Sequence, residues 1–249
     1  MTTRKEEVYV LYGSQTGNSE QAAKDLCDQV ESRLGPEIIK KLTGTKDDIT
    51  VVPTHMQLDD FLEIDRAKWT RLIVIIVSSY GIGSAPLGAY RFRELCDAWL
   101  KVYGNKNDNP KILDGCQFAM CGLGDSKYPT FFENPTKINE SLMLVGATRV
   151  GPLGKADASG TGKEVQANVI DRWMDGIWPE LATVIAMKPL PEEQLQEMQN
   201  CTVELMKQIN PDFMPEKKSN TAFIIVIVSF LIGIVAVLAG YQSVMMNTN

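Results

Sequence analysis

The sequence predicts an α/β domain of the doubly wound kind, a parallel sheet with helices on both faces, followed by a linker and one membrane-crossing helix. Three observations lead there. Strand-like apolar runs alternate with helix-like amphipathic runs from residue 6 to residue 187, the pattern of a parallel sheet with right-handed crossovers. One run, Leu72-Ile73-Val74-Ile75-Ile76-Val77, is apolar and largely β-branched, as a central strand covered on both faces should be. The stretch Ala222–Tyr241 carries no charge at all.

The elements follow in order. Val8-Tyr9-Val10-Leu11 reads as a short buried strand. A helix from Asn18 to Leu34 follows, with Ala22, Ala23, Leu26, Cys27 and Val30 on one face. Ile49–Val52 is a weaker strand, and Leu72–Val77 is the third. A helix from about Gly88 to Tyr103 leads through a polar loop, Gly104–Asn109, to the strand Phe118-Ala119-Met120-Cys121. A helix from about Phe132 to Val145, a short fifth strand at Thr148–Val150 and a last helix from Val165 to about Met187 complete the domain. Ligands of such sheets bind outside the carboxyl ends of the strands. Three loops are therefore expected to converge, Gly13–Asn18, Ser78–Leu87 and Gly122–Phe131, with Gly151–Gly162 as a fourth loop at the edge.

Residues 188–220 shift to Pro, Glu, Gln, Asn and Met and are expected to be a solvated tether. Glu192–Ile209 has partial helical periodicity through Leu195, Met198, Val203, Leu205 and Met206. Residues 221–241 are long enough to span a hydrocarbon core, which takes roughly 20 residues, and Lys217 and Lys218 precede them on the expected cytosolic side. The resulting expectation is a single-pass tail anchor with the domain in the cytosol, on the endoplasmic reticulum ahead of the mitochondrial outer membrane.

The net charge of −6 argues against a nucleic-acid partner, which would need a basic stripe. Cys27, Cys96, Cys116, Cys121 and Cys201 include no Cys-x-x-Cys pair, so neither a disulfide framework nor a zinc site is expected. His55 is the only histidine, so no metal site and no Ser-His relay are expected.

The chemistry concentrates in three motifs. Tyr12-Gly13-Ser14-Gln15-Thr16-Gly17-Asn18-Ser19 joins the first strand to the first helix. Hydroxyls, an amide and a glycine at a helix N-terminus can hold a phosphate dianion through N–H groups and the helix dipole. The Gly-Lys-Ser/Thr ending of a nucleoside-triphosphate loop is missing, and the glycine spacing is not that of a dinucleotide fingerprint. The same residues would also serve as a plain helix cap. Ser78-Ser79-Tyr80-Gly81-Ile82-Gly83 and Gly122-Leu123-Gly124-Asp125-Ser126-Lys127-Tyr128 each set a tyrosine among glycines at the ligand edge. Two such tyrosines can sandwich a flat ring system.

YGSQTGNSE (12–20), SSYGIG (78–83), GLGDSKYPTFF (122–132) and RWMDGIWPEL (172–181) together resemble the flavodoxin family, most nearly the FMN domain of diflavin reductases of the NADPH–cytochrome P450 reductase type. The resemblance implies a five-stranded parallel sheet in the order 2-1-3-4-5 and FMN as cofactor. It implies that Ser14, Gln15, Thr16, Gly17 and Asn18 hold the phosphate and that Tyr80 and Tyr128 flank the isoalloxazine. The Gly81 peptide would meet flavin N5, and Gly122, Leu123, Gly124 and Asp125 would line the pyrimidine side. Ser79, Gly83, Phe131 and Asp157 complete the set it implies.

The implied function is transfer of single electrons from a separate flavoprotein reductase to a haem or iron–sulfur protein on the same membrane. A separate donor is expected because no second nucleotide fingerprint occurs in the sequence. Ile82, Ser84, Ala85, Pro86 and Leu87 stand where the resembling proteins carry acids, and Lys155, Ala158 and Ser159 make the last loop less acidic. These departures keep a second reading open, a docking or regulatory module that has lost electron transfer. A third reading is a self-contained quinone reductase.

Overall fold

Alternation along β3 (Leu72–Ser78) organises the whole domain. Ile73, Ile75 and Val77 enter one hydrophobic core, and Leu72, Val74 and Ile76 enter another on the opposite face, all essentially without solvent exposure. A strand with two dry faces must lie inside a sheet covered on both sides. The computed structural model describes residues 2–64, 71–104 and 110–212 of the chain.

On either side of β3 lie β1 (Thr3–Gly13) and β4 (Gln117–Gly124), with β2 (Asp48–Gln57) outside β1 and β5 (Thr148–Arg149) outside β4. The order is β2-β1-β3-β4-β5, as the resemblance implies, and the pairings are parallel, as the alternation predicts. Pro53 is tolerated in β2 because this strand forms an edge. Helices α1 (Asn18–Arg33), α2 (Pro36–Thr43) and α6 (Gln166–Ala186) cover one face. The other carries α3 (Leu58–Phe61), α4 (Tyr90–Tyr103), α5 (Glu133–Leu144) and α7 (Glu192–Ile209).

Besides the short α3, the structure departs from the sequence reading in three places. Residues 192–209, expected as a tether, form α7, which buries Met198, Thr202, Leu205 and Met206 in the same core as Trp99 of α4. Their spacing puts them on one helical face, and that apolar stripe outweighs the polar composition of the segment. The expected edge loop 151–162 contains a sixth strand, β6 (Gly154–Asp157), which pairs with Cys121–Gly124 of β4. The two residues Ala119 and Met120 of β4 thus face four edge residues, Val150 to Leu153, so β5 and β6 are one edge interrupted by a bulge. Third, α2 fills the stretch between α1 and β2, opened by Pro36 and closed by left-handed Gly44.

The amino ends of the strands are pinned by a buried charge cluster. Arg71 donates to Glu6 (2.6 Å) and to the Ile185 carbonyl (2.9 Å), tying β1 and β3 to the end of α6. The three loops expected to converge on a ligand lie at the opposite, carboxyl ends. No helix among the described residues is long and apolar enough to cross a membrane. The predicted span 221–241 and its flanking lysines lie outside the described residues.

Candidate functional site

Three strand-to-helix loops meet over β1, β3 and β4 and enclose a cavity of about 350 Å³. That lies within the range of roughly 300–1,000 Å³ typical of small-molecule sites. Gln15, Thr16 and Asn18 reach it from the first loop, Ser79, Tyr80 and Gly81 from the second, and Leu123, Gly124, Asp125, Tyr128 and Phe131 from the third.

The first loop ends at Gly17, the residue before α1, and no side chain caps the helix. Ser14 Oγ turns back to accept the Gly17 N–H at 3.0 Å, which shapes the loop. Ser19 is fully buried at the cavity wall, and its Oγ has no hydrogen-bond partner among the described residues. A buried hydroxyl without a partner costs about 1–3 kcal/mol. An uncapped helix end beside such a hydroxyl suits an anion, and no lysine or arginine lines the cavity.

The second loop is a tight hairpin. Tyr80 and Ser84 exchange both backbone hydrogen bonds around Gly81 and Gly83, each at positive φ. The Glu133 side chain packs directly under Gly83, and the positive φ there makes any larger residue strained. Asn134 supports the base of the hairpin: its side-chain amide donates to the Ser78 carbonyl at 2.8 Å and its backbone N–H to Ser79 Oγ at 3.3 Å. Buried Arg93 holds the Asn134 side-chain oxygen at 2.8 Å.

The third loop faces the second. Thr130 Oγ1 donates to the Gly81 carbonyl at 3.1 Å, joining the two tyrosine loops. Tyr80 and Tyr128 are about half exposed, at 50 % and 58 %. Asp157 accepts the backbone N–H groups of Ser126 and Ser159, each at 2.9 Å. The Ser159 hydroxyl donates to Asp125 at 2.5 Å. These bonds, led by those from Ser126 and Ser159, hold the Asp157 and Asp125 carboxyls below the usual aspartate range.

Eleven of the predicted residues therefore line one cavity. Ser14, Gly17, Gly83, Gly122 and Asp157 are not among its lining residues. A Cβ on Gly122 would fall 2.5 Å from the Phe132 ring and 2.6 Å from Pro135, so this glycine serves the packing of α5 on β4. Ser19, Ser78, Thr130, Ala158 and Gln166 line the cavity without having been anticipated. Ser19 and Thr130 sit inside the quoted motifs, whereas Gln166 has no motif to mark it.

The flavodoxin family model matches residues 10–170. The chain belongs to the flavodoxin family. This flavodoxin-family domain is 28% identical over 209 residues to the mitochondrial NADP-dependent pyruvate dehydrogenase of Euglena gracilis, covering 84% of this chain and 10% of that protein. It is 30% identical over 156 residues to the NADPH-dependent diflavin oxidoreductase 1 of Aspergillus fumigatus, covering 62% of this chain and 21% of that protein. With the NADPH–cytochrome P450 reductase of Saccharomyces cerevisiae it shares 28% identity over 180 residues, 71% of this chain and 22% of that protein. The chain thus spans between a tenth and a quarter of the length of these relatives.

The domain binds FMN, and the residues present fit that cofactor: an open helix end with an unpartnered buried hydroxyl for the phosphate, and a cleft between two tyrosines for the ring. FMN supplies one-electron redox chemistry when bound. The chain's own residues bind it, keep the Gly81 peptide in place through Thr130, and clamp the third loop to the edge strand through Asp157.

Proposed function

We propose that this protein is a membrane-held one-electron carrier, fed by a flavoprotein reductase and delivering to a haem or iron–sulfur protein of the same membrane. The observation that carries the electron-transfer part is the cleft itself. Its two tyrosines remain half exposed, so the cleft stays open to an approaching redox partner. The similarity to an NADPH–cytochrome P450 reductase and to an NADPH-dependent diflavin oxidoreductase supports a reductase as donor and a haem protein as acceptor. Residues 221–241 support the anchor, being free of charge and preceded by Lys217 and Lys218. Tethering raises the effective concentration of partners in the same membrane. The strongly apolar span, with no basic residue among 242–249, supports the endoplasmic reticulum ahead of the mitochondrial outer membrane.

The test uses the full chain in mild detergent, titrated with FMN and reduced stepwise under visible spectroscopy. Bound FMN that takes up its electrons in two separated one-electron steps supports the carrier. A chain that ignores FMN is instead a docking module, and one that binds it but is reduced in a single two-electron step fits the quinone reductase. For the anchor, Ile232→Arg combined with Val235→Arg should move the protein to the soluble fraction, since each arginine costs roughly 2.5–3.5 kcal/mol at mid-span. Retention of the double variant on membranes rules the anchor out.

A further inference from the structure

Gln166, the first residue of α6, touches three separate parts of the cofactor site. Its amide nitrogen donates to the Gly124 carbonyl at 3.4 Å and to the Ala156 carbonyl at 3.3 Å. Its amide oxygen accepts from the Asn18 side chain at 3.2 Å. Gly124 ends β4 and begins the ring loop, Ala156 lies in the edge strand, and Asn18 opens the helix whose N-terminus faces the cavity. One glutamine offers two N–H donors and one carbonyl oxygen, and all three are engaged. The flipped amide would set its oxygen against two carbonyls, so the orientation is determined by the contacts.

We propose that Gln166 is a positioning residue that couples the phosphate half of the flavin site to the ring half. The inference rests on FMN occupying the cavity. Asn18 belongs to the loop at the open helix end, and Gly124 and Ala158 line the same cavity. Among the described residues, Gln166 is the side chain that bonds both to Asn18 and to Gly124 and Ala156. An anion that orders Asn18 therefore orders Gly124 and Ala156 through one amide. Coupling of this kind is reciprocal: each half raises affinity for the other by the same factor.

The two halves can be supplied separately, as inorganic phosphate and riboflavin. In the native full chain, saturating phosphate should tighten riboflavin binding several-fold, read by quenching of flavin fluorescence. In Gln166→Ala the riboflavin affinity should no longer depend on phosphate, and FMN should bind about tenfold more weakly. Gln166→Leu keeps the bulk of the side chain, and should lose the coupling equally if the alanine variant fails to fold. Gln166→Glu retains the acceptor for Asn18 but places an anion against two carbonyls, and should also uncouple. A residue that merely rivets β6 to β4 would lower the melting temperature and leave the phosphate dependence intact. That result overturns the proposal, as does a native chain that binds both probes independently. A native chain that binds neither FMN nor riboflavin overturns the flavin reading itself, and this inference with it.

Discussion

Tyr80 and Tyr128 leave about half of each side chain in water, a poor arrangement for residues with no ligand to cover. Aromatic stacking contributes roughly 0.5–1.5 kcal/mol per pair beyond burial. Tyr80→Ala and Tyr128→Ala should each weaken FMN by tenfold or more, measured by fluorescence titration, and unchanged affinity in both would displace the site. The carboxylates of Asp125 and Asp157 make a second prediction. Hydrogen bonds lower both pKa values in the folded chain. Their contribution to loop closure is therefore complete above the unfolded value and is lost as pH falls through the lowered folded value. The part of FMN retention that rests on these two carboxylates should stay flat from neutrality to about pH 4 and fall only below it. Asp157→Ala should loosen FMN already at neutral pH and flatten the acid step, read from flavin fluorescence against pH. At this scale the motif residues were legible, because phosphate and ring ligands demand particular residue types. The distinction between lining the cavity and shaping it was not. Gly122 looks like a cofactor glycine in sequence, and the Phe132 ring packed against it shows that it also serves the packing of α5 on β4.

Helix α7 shows how a polar segment becomes part of a domain. Glu, Gln and Asn dominate its sequence, yet Met198, Thr202, Leu205 and Met206 recur at helical spacing and are buried beside Trp99. Thr202 takes a core position by donating its hydroxyl to the Met198 carbonyl at 2.8 Å. Val203, which the sequence suggests for that stripe, is only half buried. Met198→Ala should cost about 2–5 kcal/mol in denaturant unfolding, with FMN affinity unchanged because α7 does not line the cavity. An equal loss of FMN affinity would mean that the helix braces the site. The edge strand carries the opposite lesson. Gly151 and Pro152 signal a break, and the structure makes the break a bulge, after which pairing with β4 resumes. That resumption places Asp157 beside Gly124, with which it pairs in register.

Across the molecule, two cores on opposite faces of one sheet bury Cys96, Cys116 and Cys121 completely, and burial pushes each thiol up to about 12. A thiol reacts as its thiolate. Iodoacetamide at pH 8 should therefore leave these three unlabelled in the native protein and label them after unfolding, as followed by mass spectrometry. Rapid native labelling of any one would show that its core opens locally. The alternation of strands and helices, the apolar run Leu72–Val77 of β3 and the order of the loops were determined by the sequence alone, because period and residue type report directly on which faces are dry. Tertiary structure alone decided the docking of α7, the resumption of the edge strand and the convergence of Gln166 on three loops. Each depends on a surface built by residues far away in the chain, Trp99 for α7, β4 for β6, and Asn18, Gly124 and Ala156 for Gln166. No local pattern encodes such a surface before the sheet has brought its parts together.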